Sequence, residues 1–394
     1  MSQRSHTLPG VLAVALALST GACSDRVASP VGPDAPRAAA VKFWDAGSSV
    51  AWNITARQLA VARGSSAIVQ ARLFTYLSIA QYNAVVAAED AKEGGDHASP
   101  AAAAAGASVV VLKSFFPMDG SLIDAALATQ RAAGVAPSAQ AEDVAAGEAI
   151  GRAIGADVVA YAATDGTNLT APQPNPGGPG NWTGVNSIRG LYGTRPMTLE
   201  SGDQFRPPPP PVYQSPEFDA ALAEVRGITD ALTPAQLGIA QAWTMQGTAF
   251  LNGVATGMIV SHRRTEREAA RTLALANMAV FDATIGCFDA KFAYWYIRPS
   301  QADPQLHLWV AMPNHPSYPS GHSCQTASIA TVLASVFPDE RDRLEALIVE
   351  AGLSRMYGGL HYRFDCDAGQ ELGRQVAGWV LDHAMNRQTA VALD

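Results

Sequence analysis

Cations and histidines recur in three short blocks between Lys291 and Asp365, and their chemistry suits the binding of a tetrahedral oxyanion. The blocks are Lys291-Phe-Ala-Tyr-Trp-Tyr-Ile-Arg298-Pro299, Pro319-Ser320-Gly321-His322 and Ser354-Arg355-Met-Tyr-Gly-Gly-Leu-His361-Tyr-Arg-Phe-Asp365. Arginine offers a planar fork of donors, lysine offers a point charge, and a helix N-terminus offers unpaired N–H groups with a favourable dipole. The residue types therefore predict an anion site.

Each block taken alone has an ordinary structural explanation. Lys291 and Arg298 are seven residues apart and fit the solvated face of one helix. Pro-Ser-Gly-His fits a turn with a capping serine, and His361 alone fits a buried core histidine. The order and spacing of the three blocks together are much more specific than any one of them.

Together the blocks resemble the signature of the superfamily of vanadium-dependent haloperoxidases and type 2 phosphatidic acid phosphatases, which reads Lys-x6-Arg-Pro, Pro-Ser-Gly-His and Ser-Arg-x5-His-x3-Asp. The match is close over about residues 282–373 and looser back to the segment that begins at Gln204. The resemblance implies that one set of residues holds the equatorial oxygens of a bound vanadate or phosphate: Lys291, Arg298, Ser320, Gly321 and Arg355.

The resemblance also implies roles for the histidines. His361 is expected to be the axial residue, which is the protein ligand of vanadium in the haloperoxidases and the phosphate-accepting nucleophile in the phosphatases. His322 is expected to be the acid–base group on the opposite side. Asp365, four residues after His361, is expected to fix the ring of that histidine, to cap the last helix, or to do both.

Two chemistries on one site remain open at this stage. The first is a haloperoxidase, in which vanadate is the cofactor and hydrogen peroxide and a halide are the substrates. The second is an exported phosphomonoesterase that forms a phosphohistidine at His361. A third interpretation is a site that only binds phosphate.

Two features favour the haloperoxidase, with bromide as the halide. The run from His361 to Asp365 resembles the haloperoxidase form of the motif, and His315 lies seven residues before His322, where bromoperoxidases also carry a histidine. His315 also fits a polar loop residue. Phe288 stands where a tryptophan is common in the haloperoxidases, which leaves the choice of halide open.

The elements that must position these blocks are helices. Residues 41–165 predict an N-terminal helical region of four or five helices with a buried stripe that includes Phe74, Leu77, Tyr82 and Val85. Residues 166–214 form a Pro/Gly-rich crossing that ends in five prolines, Pro207 to Pro211, and cannot be helix or central strand. A polyproline ligand for a partner is the alternative interpretation of that run.

Residues 215–394 predict a C-terminal helical catalytic region, with capping signals at Ser215, Thr233, Thr265 and Ser320. The expected helices span about residues 216–230, 234–262, 266–297, 320–337, 338–352 and 365–386. The prediction is an all-α fold of helical bundles, with the active site at one end of the C-terminal bundle.

The N-terminus predicts export. Residues 1–23 read as a signal peptide with a lipobox-like end at Cys23, and residues 24–40 as a flexible tether. We expect a periplasmic or cell-envelope lipoprotein that meets the membrane only through this anchor, with an unlipidated secreted form as the alternative. The net charge of −8 argues against nucleic acid as a partner, so small-molecule substrates are expected.

Three further cysteines, Cys287, Cys324 and Cys366, each lie within four residues of a motif position. An exported protein can oxidise them to one disulfide and one free thiol. Buried packing of all three as thiols is the favoured interpretation.

Overall fold

A computed structural model of the chain describes residues 47–94, 97–133, 138–185, 187–245, 247–384 and 391–393. The predicted signal peptide, Cys23 and the tether lie outside the described residues. The described part contains α-helices, two short 3₁₀ turns and no strand, and an isolated bridge pairs Asn181 with Tyr296. The prediction of an all-α fold is confirmed.

The first helices come from the Ala-rich part of the chain. Their bounds are α1 Ser48–Ala62, α2 Ala67–Glu93, α3 Pro100–Phe115, α4 Gly120–Ala133 and α5 Ser138–Ala162. Ser99 caps α3 by accepting a hydrogen bond from the Ala102 N–H, with Pro100 in the first turn. The stripe predicted on α2, which includes Phe74 and Tyr82, is fully buried.

The crossing between Ala162 and Pro216 holds no helix in its described residues, and it is tied to the C-terminal region by specific hydrogen bonds. The carboxylate of Asp282 accepts the backbone N–H groups of Met197 and Thr198 at 2.7 and 2.9 Å. Three tyrosine hydroxyls bind carbonyl oxygens of the proline run, in the pairs Tyr294–Pro207, Tyr318–Pro208 and Tyr296–Pro211. These bonds make the proline run an ordered crossing.

The remaining helices are α6 Pro216–Asp230, α7 Pro234–Met245, α8 Thr248–Ser261, α9 Glu266–Tyr294, α10 Pro299–Ala302, α11 Gly321–Val336, α12 Arg341–Tyr357 and α13 Arg363–His383. The prediction of a single helix over 234–262 is wrong. Helix α7 ends at Met245, and α8 begins at Thr248 with Gly247 as its N-cap. The long helix α9 also ends earlier than predicted. Trp295 caps it in the left-handed conformation with φ 47°, and Pro299 starts a new short helix instead of closing the old one.

Helix α9 is the centre of the molecule. It packs on α2 from the N-terminal region and on α11 and α13 from the C-terminal region, and one hydrophobic core includes residues from both regions. Its length and apolar composition would suit a membrane span, but 94% of its most apolar window is buried inside the protein. We therefore interpret α9 as a core helix that delivers its C-terminal end to the motif residues.

Candidate active site

The three sequence blocks meet at the C-terminal end of α9. That helix supplies Lys291, and the following turn supplies Arg298. The loop from Asp303 to Ser320 leads to the N-terminus of α11, while the end of α12 supplies Arg355. His361 lies between α12 and α13, and Asp365 lies in the first turn of α13.

Lys291 is fully buried, and its ammonium group binds the loop that precedes α11. Nζ donates to the carbonyl oxygens of Pro316 at 2.9 Å, Ser317 at 2.8 Å and Pro319 at 2.5 Å. An ammonium group has three hydrogens, so these contacts use all of them. In this arrangement Lys291 braces the loop and contributes positive charge to the site, and its direct bond to an oxyanion stays a prediction.

Arg298 is also fully buried and joins two blocks. Its guanidinium donates to the carbonyl oxygens of His315 at 3.0 Å and Leu360 at 2.8 Å. The same group lies 3.2 Å from Nδ1 of His315 and 3.4 Å from Nε2 of His361. Arg298 therefore places both histidines beside a permanent cation.

His361 has one ring nitrogen held and the other turned toward the cations. Its Nδ1 donates to Oδ2 of Asp365 at 2.8 Å, and its Nε2 faces Arg298. A hydrogen bond at Nδ1 leaves the lone pair of the neutral imidazole on Nε2. The structure therefore brings His361 and Asp365 together in the relation that the sequence predicts.

The N-terminus of α11 forms a third wall of the site. Ser320 caps this helix through its hydroxyl, which accepts from the Ser323 N–H, and its own N–H donates to the Asp365 carbonyl at 2.8 Å. The amides of Gly321 and His322 lie in the first helical turn, where no helical carbonyl can reach them. They are the backbone donors that this helix can offer to an anion.

Arg355 and His322 both contact backbone carbonyls of α7, which sequence reasoning did not predict. Arg355 donates to the Ala240 carbonyl at 3.0 Å. His322 Nε2 lies 3.1 Å from the Trp243 carbonyl, which can only accept, so Nε2 carries the proton. These partners are backbone atoms of a helix that was predicted without any role in the site, and no residue type in the sequence pointed to them.

His315 lies in the loop before α11, and its side chain contacts the site residues instead of pointing into solvent. Besides its contact with Arg298, its ring packs edge-on against Phe288 with the centroids 5.3 Å apart. Gly190 also approaches Phe288, so closely that a side chain there would overlap the ring. The close contact between Gly190 of the crossing and Phe288 of α9 thus restrains the Phe288–His315 pair.

Ser317 is a second residue that the sequence analysis did not single out. Its side chain is fully buried, and its hydroxyl donates to Oδ2 of Asp365. The only signal available in the sequence was its place in the loop between His315 and Pro319.

Burial dominates the electrostatics of the site. It lowers the pKa of Lys291 to about 8 and those of Arg298 and Arg355 to about 10. Burial, with Arg355 as the next cause, lowers the pKa of His322 to about 3. Removing an ionisable group from water disfavours its charged form, so each lowered pKa reflects a cation or imidazole that is held away from solvent.

The two other histidines and the aspartate follow the same rule. Burial, reinforced by Arg298 and Lys291, holds the pKa values of His361 and His315 well below the usual histidine value. Burial raises the pKa of Asp365 to about 7. The site therefore contains buried positive charge from Lys291, Arg298 and Arg355 with a single adjacent carboxylate, whose tendency is to be neutral.

The three C-terminal cysteines are free and buried. Cys287 lies behind the α11 turn, with its sulfur 3.8 Å from the Pro319 carbonyl. Packing as thiols, the favoured sequence interpretation, is confirmed for Cys287, Cys324 and Cys366.

The donor set fits a tetrahedral oxyanion with two or three negative charges. Buried cations in excess of carboxylates need a counter-charge, and the open helix N-terminus and the Nε2 lone pair of His361 face the same region. Both vanadate and phosphate have the required charge and shape. Residues suited to hold either are Arg355, Gly321 and His361, with Lys291 and Ser320 supporting the walls. Arg298 adds positive charge, and it would have to exchange one of its bonds to His361, His315 or Pro316 to bind an oxygen directly.

Comparisons with known proteins agree with this geometry. Residues 270–388 match the family model of the PAP2 superfamily, which supports the superfamily assignment made from the three blocks. No curated protein matches the chain in sequence.

The fold is similar to solved bacterial enzymes. One is described as the first bacterial vanadium-dependent iodoperoxidase, with a TM-score of 0.72, 23% identity, and coverage of 86% of this chain and 96% of that chain. Another is an apo-type bacterial vanadium-dependent chloroperoxidase, with a TM-score of 0.65, 14% identity, and coverage of 81% and 95%. At these identities the likeness establishes a shared fold.

Proposed function

We propose that this PAP2-superfamily chain is an exported haloperoxidase that binds vanadate and oxidises a halide, with bromide favoured, at the expense of hydrogen peroxide. The observation that carries the proposal is the arrangement of His361, whose Nδ1 is held by Asp365 while Nε2 faces Arg298. This arrangement presents one imidazole lone pair to a buried cationic site. The haloperoxidase fold of the structural neighbours supports it.

The chain's own residues would act by binding and proton placement. His361 Nε2 would hold the vanadium atom, and Arg298 and Arg355 with the amides at the start of α11 would bind the oxygens. Bound vanadate supplies the Lewis acidity that makes peroxide a better oxidant toward halide. His322, neutral at neutral pH and with its proton on Nε2, would exchange protons with the bound oxygens through Nδ1.

His315 favours the peroxidase over the phosphatase. Its Nδ1 lies 3.2 Å from Arg298, so the ring borders the region where the oxygens would bind. A phosphatase needs one acid for the leaving group, a role that His322 could fill once its Nδ1 has taken up a proton. A second imidazole beside the oxyanion has a use when peroxide must lose protons as well.

The alternative function is an acid phosphatase that forms a phosphohistidine at His361. The same Nε2 lone pair that would bind vanadium would attack phosphorus, and the match to the PAP2 superfamily supports this reaction. A site that only binds phosphate is a minor alternative, because every expected cation and histidine is present at the site.

A paired assay decides between these functions. The purified protein is incubated with orthovanadate, and peroxide-dependent bromination is measured beside hydrolysis of an aryl phosphate without vanadate. We expect bromination that requires vanadate. Hydrolysis in the absence of any bromination, at every pH tested, would replace the proposal with the phosphatase.

His315→Ala gives a second test within the same assay. We expect bromination to fall at least tenfold, which is about 1.4 kcal/mol in the barrier, while phosphate ester hydrolysis changes only a few-fold. An equal loss of both activities would make His315 a structural support of its loop.

We further propose that the protein is exported and anchored to the cell envelope through a lipid on Cys23. The signal-like residues 1–23 and the tether that follows support this proposal. In cells, the full-length protein should partition with the membrane fraction into detergent, and Cys23→Ser should release it or block its processing. A soluble wild-type protein whose mature N-terminus lies after Cys23 would exclude the anchor.

A further inference from the structure

We infer that Ser317 is a positioning residue, which holds the Asp365 carboxylate so that His361 presents Nε2 to the oxyanion. The inference rests on the proposed axial role of His361, which the haloperoxidase and phosphatase reactions share. It adds a hydroxyl from the loop before α11 to the His361–Asp365 pair.

Every polar atom of Ser317 is engaged, and the partners come from separate blocks of the site. Its N–H donates to the Tyr296 carbonyl at 3.0 Å, and its carbonyl oxygen accepts from Lys291 at 2.8 Å. Its hydroxyl donates to Asp365. Ser317 therefore joins the end of α9, the loop before α11 and the start of α13 at one point.

The contacts of the Asp365 carboxylate show why this hydroxyl matters. Oδ2 accepts from Ser317, from His361 Nδ1 at 2.8 Å and from the Tyr362 N–H at 3.2 Å. Oδ1 is buried and has no partner among the described residues. The rotation of the carboxylate is thus restrained through one oxygen, and the serine supplies one of its three donors.

The Ser317 hydroxyl also lies close to the imidazole itself. Its oxygen is 3.5 Å from Nδ1 of His361, on the side of the ring that faces Asp365. Without the hydroxyl, only His361 Nδ1 and the Tyr362 N–H hold the carboxylate, so its rotation, and with it the direction of the imidazole ring, is less restrained. Groups behind a ligand that hold its orientation typically change affinity or activity by roughly 10- to 100-fold when removed.

The Lys291 and Tyr296 contacts of Ser317 use backbone atoms, so they persist when the side chain is changed. Ser317→Ala therefore removes one hydrogen bond and leaves the bracing of the loop in place. Ser317→Thr keeps the hydroxyl and serves as the conservative variant. Ser328→Ala is the matched control, because Ser328 is equally buried but its hydroxyl bonds to the Gln325 carbonyl of its own helix.

The first measurement is phosphate binding to the full-length protein by calorimetry. We expect Ser317→Ala to weaken phosphate binding by roughly 10- to 100-fold, with Ser317→Thr and Ser328→Ala within about threefold of the wild type. Equal phosphate affinity in Ser317→Ala and the wild type would overturn the inference.

The second measurement follows the proton between His361 and Asp365 by NMR. This proton should give a far-downfield signal that is identified by its loss in His361→Ala. We expect the signal to shift or broaden in Ser317→Ala and to be restored in Ser317→Thr. A signal that stays unchanged in Ser317→Ala, with only the melting temperature lowered, would assign the serine a structural role and overturn the inference.

These two measurements do not depend on which reaction the protein catalyses. If the wild type showed neither bromination nor ester hydrolysis, the proposed function would fail while phosphate affinity and the NMR signal still tested Ser317. If an activity is present, Ser317→Ala should lower kcat in the same reaction, and Ser317→Thr should recover it. Recovery of neither kcat nor the NMR signal by Ser317→Thr would count against the inference.

Discussion

The α3/α5 pair and the α11/α13 pair are both built on glycines four residues apart. On α5, Gly147, Gly151 and Gly155 face the backbone of α3, and a methyl group on Gly155 would lie 2.9 Å from the Ala107 carbonyl oxygen. On α13, a methyl group on Gly369 would lie 2.7 Å from the Ser320 carbonyl oxygen. In both pairs the absence of a side chain lets two helix backbones approach closely.

The two contacts differ in what lies at their ends. The α3 side of the first contact is a run of buried alanines, Ala101 to Ala105 and Ala107, and none of the predicted site residues lies there. The second contact begins at Ser320, the cap residue of α11, and Asp365 in the first turn of α13 accepts the Ser320 N–H. Close packing builds the helix pair in both cases, and the polar residues at the helix ends make one of them a site.

The largest effect is expected from a substitution that removes the reactive imidazole and leaves the helix packing intact. His361→Ala should lower either activity by about four orders of magnitude or more, the scale on which removal of a central catalytic group acts. The α11/α13 glycines are untouched, so circular dichroism should report a folded protein. A folded His361→Ala variant with full activity would show that the reaction does not pass through this residue.

The next prediction compares the two contacts directly through Gly151→Ala and Gly373→Ala. In each variant the new methyl group would overlap a carbonyl oxygen, that of Ala103 or Cys324. We expect both to lower the free energy of unfolding by about 1–3 kcal/mol, the usual cost of overpacking. Urea unfolding measures this loss.

The two variants should differ in function. Gly373→Ala displaces α11, which carries Ser320 and His322, so phosphate affinity per folded molecule should fall with stability. Gly151→Ala acts far from the site and should leave phosphate affinity unchanged. Equal phosphate affinity in both variants would show that α11 tolerates the displacement without moving its first turn.

The sequence predicts most of the helices and the residue types of the site, but not the interruption between α7 and α8 or the long-range partners. Helix periodicity and caps at Ser215, Thr265 and Ser320 indicate the helices well, because caps act locally. The interruption between Met245 and Thr248 was not predicted, because a single glycine such as Gly247 is often tolerated within a helical pattern. The long-range partners of the site could not be predicted for a different reason.

Those partners are set by tertiary packing. The Trp243 carbonyl beside His322 is a backbone atom brought there by α7, 79 residues earlier in the chain. Lys291 was predicted as an oxyanion donor from its residue type, whereas its hydrogens meet three loop carbonyls. Residue types and spacing indicate the chemistry of a site, but which donors remain available depends on the fold around it.

The pH dependence of stability sharpens the contrast further, because Asp365 is a buried carboxylate next to the α11/α13 contact. Burial raises its pKa to about 7, above about 3.9 in the unfolded chain. A raised pKa means that the folded state holds the proton more tightly than the unfolded state. The contribution of this proton to the free energy of unfolding is therefore complete below pH ~3.9 and is lost as the pH rises through about 7.

The matched variant is Asp365→Asn, which cannot ionise. We expect the free energy of unfolding of the wild type, relative to Asp365→Asn, to fall between about pH 4 and pH 7 by an amount on the order of a few kcal/mol. Urea unfolding of both proteins across this range gives the difference, since contributions from groups that do not interact with Asp365 cancel. A difference that stays constant or rises with pH would mean that Asp365 is ionised throughout.

The smallest expected effect lies at the opposite end of α9 from the site. Thr265 caps this helix in a capping box with Glu268, in which each side chain accepts a hydrogen bond from the backbone N–H of the other residue. Removing the hydroxyl by Thr265→Ala leaves an N–H of the first turn without its partner, which typically costs about 1 kcal/mol. Lys291 lies seven turns away along a helix that is buried over nearly its whole length, so the fraying should not reach it.

We expect a small drop in the midpoint of urea unfolding with unchanged phosphate affinity and activity. A loss of phosphate affinity in Thr265→Ala would show that α9 transmits strain along its length, from its N-terminal cap to the site.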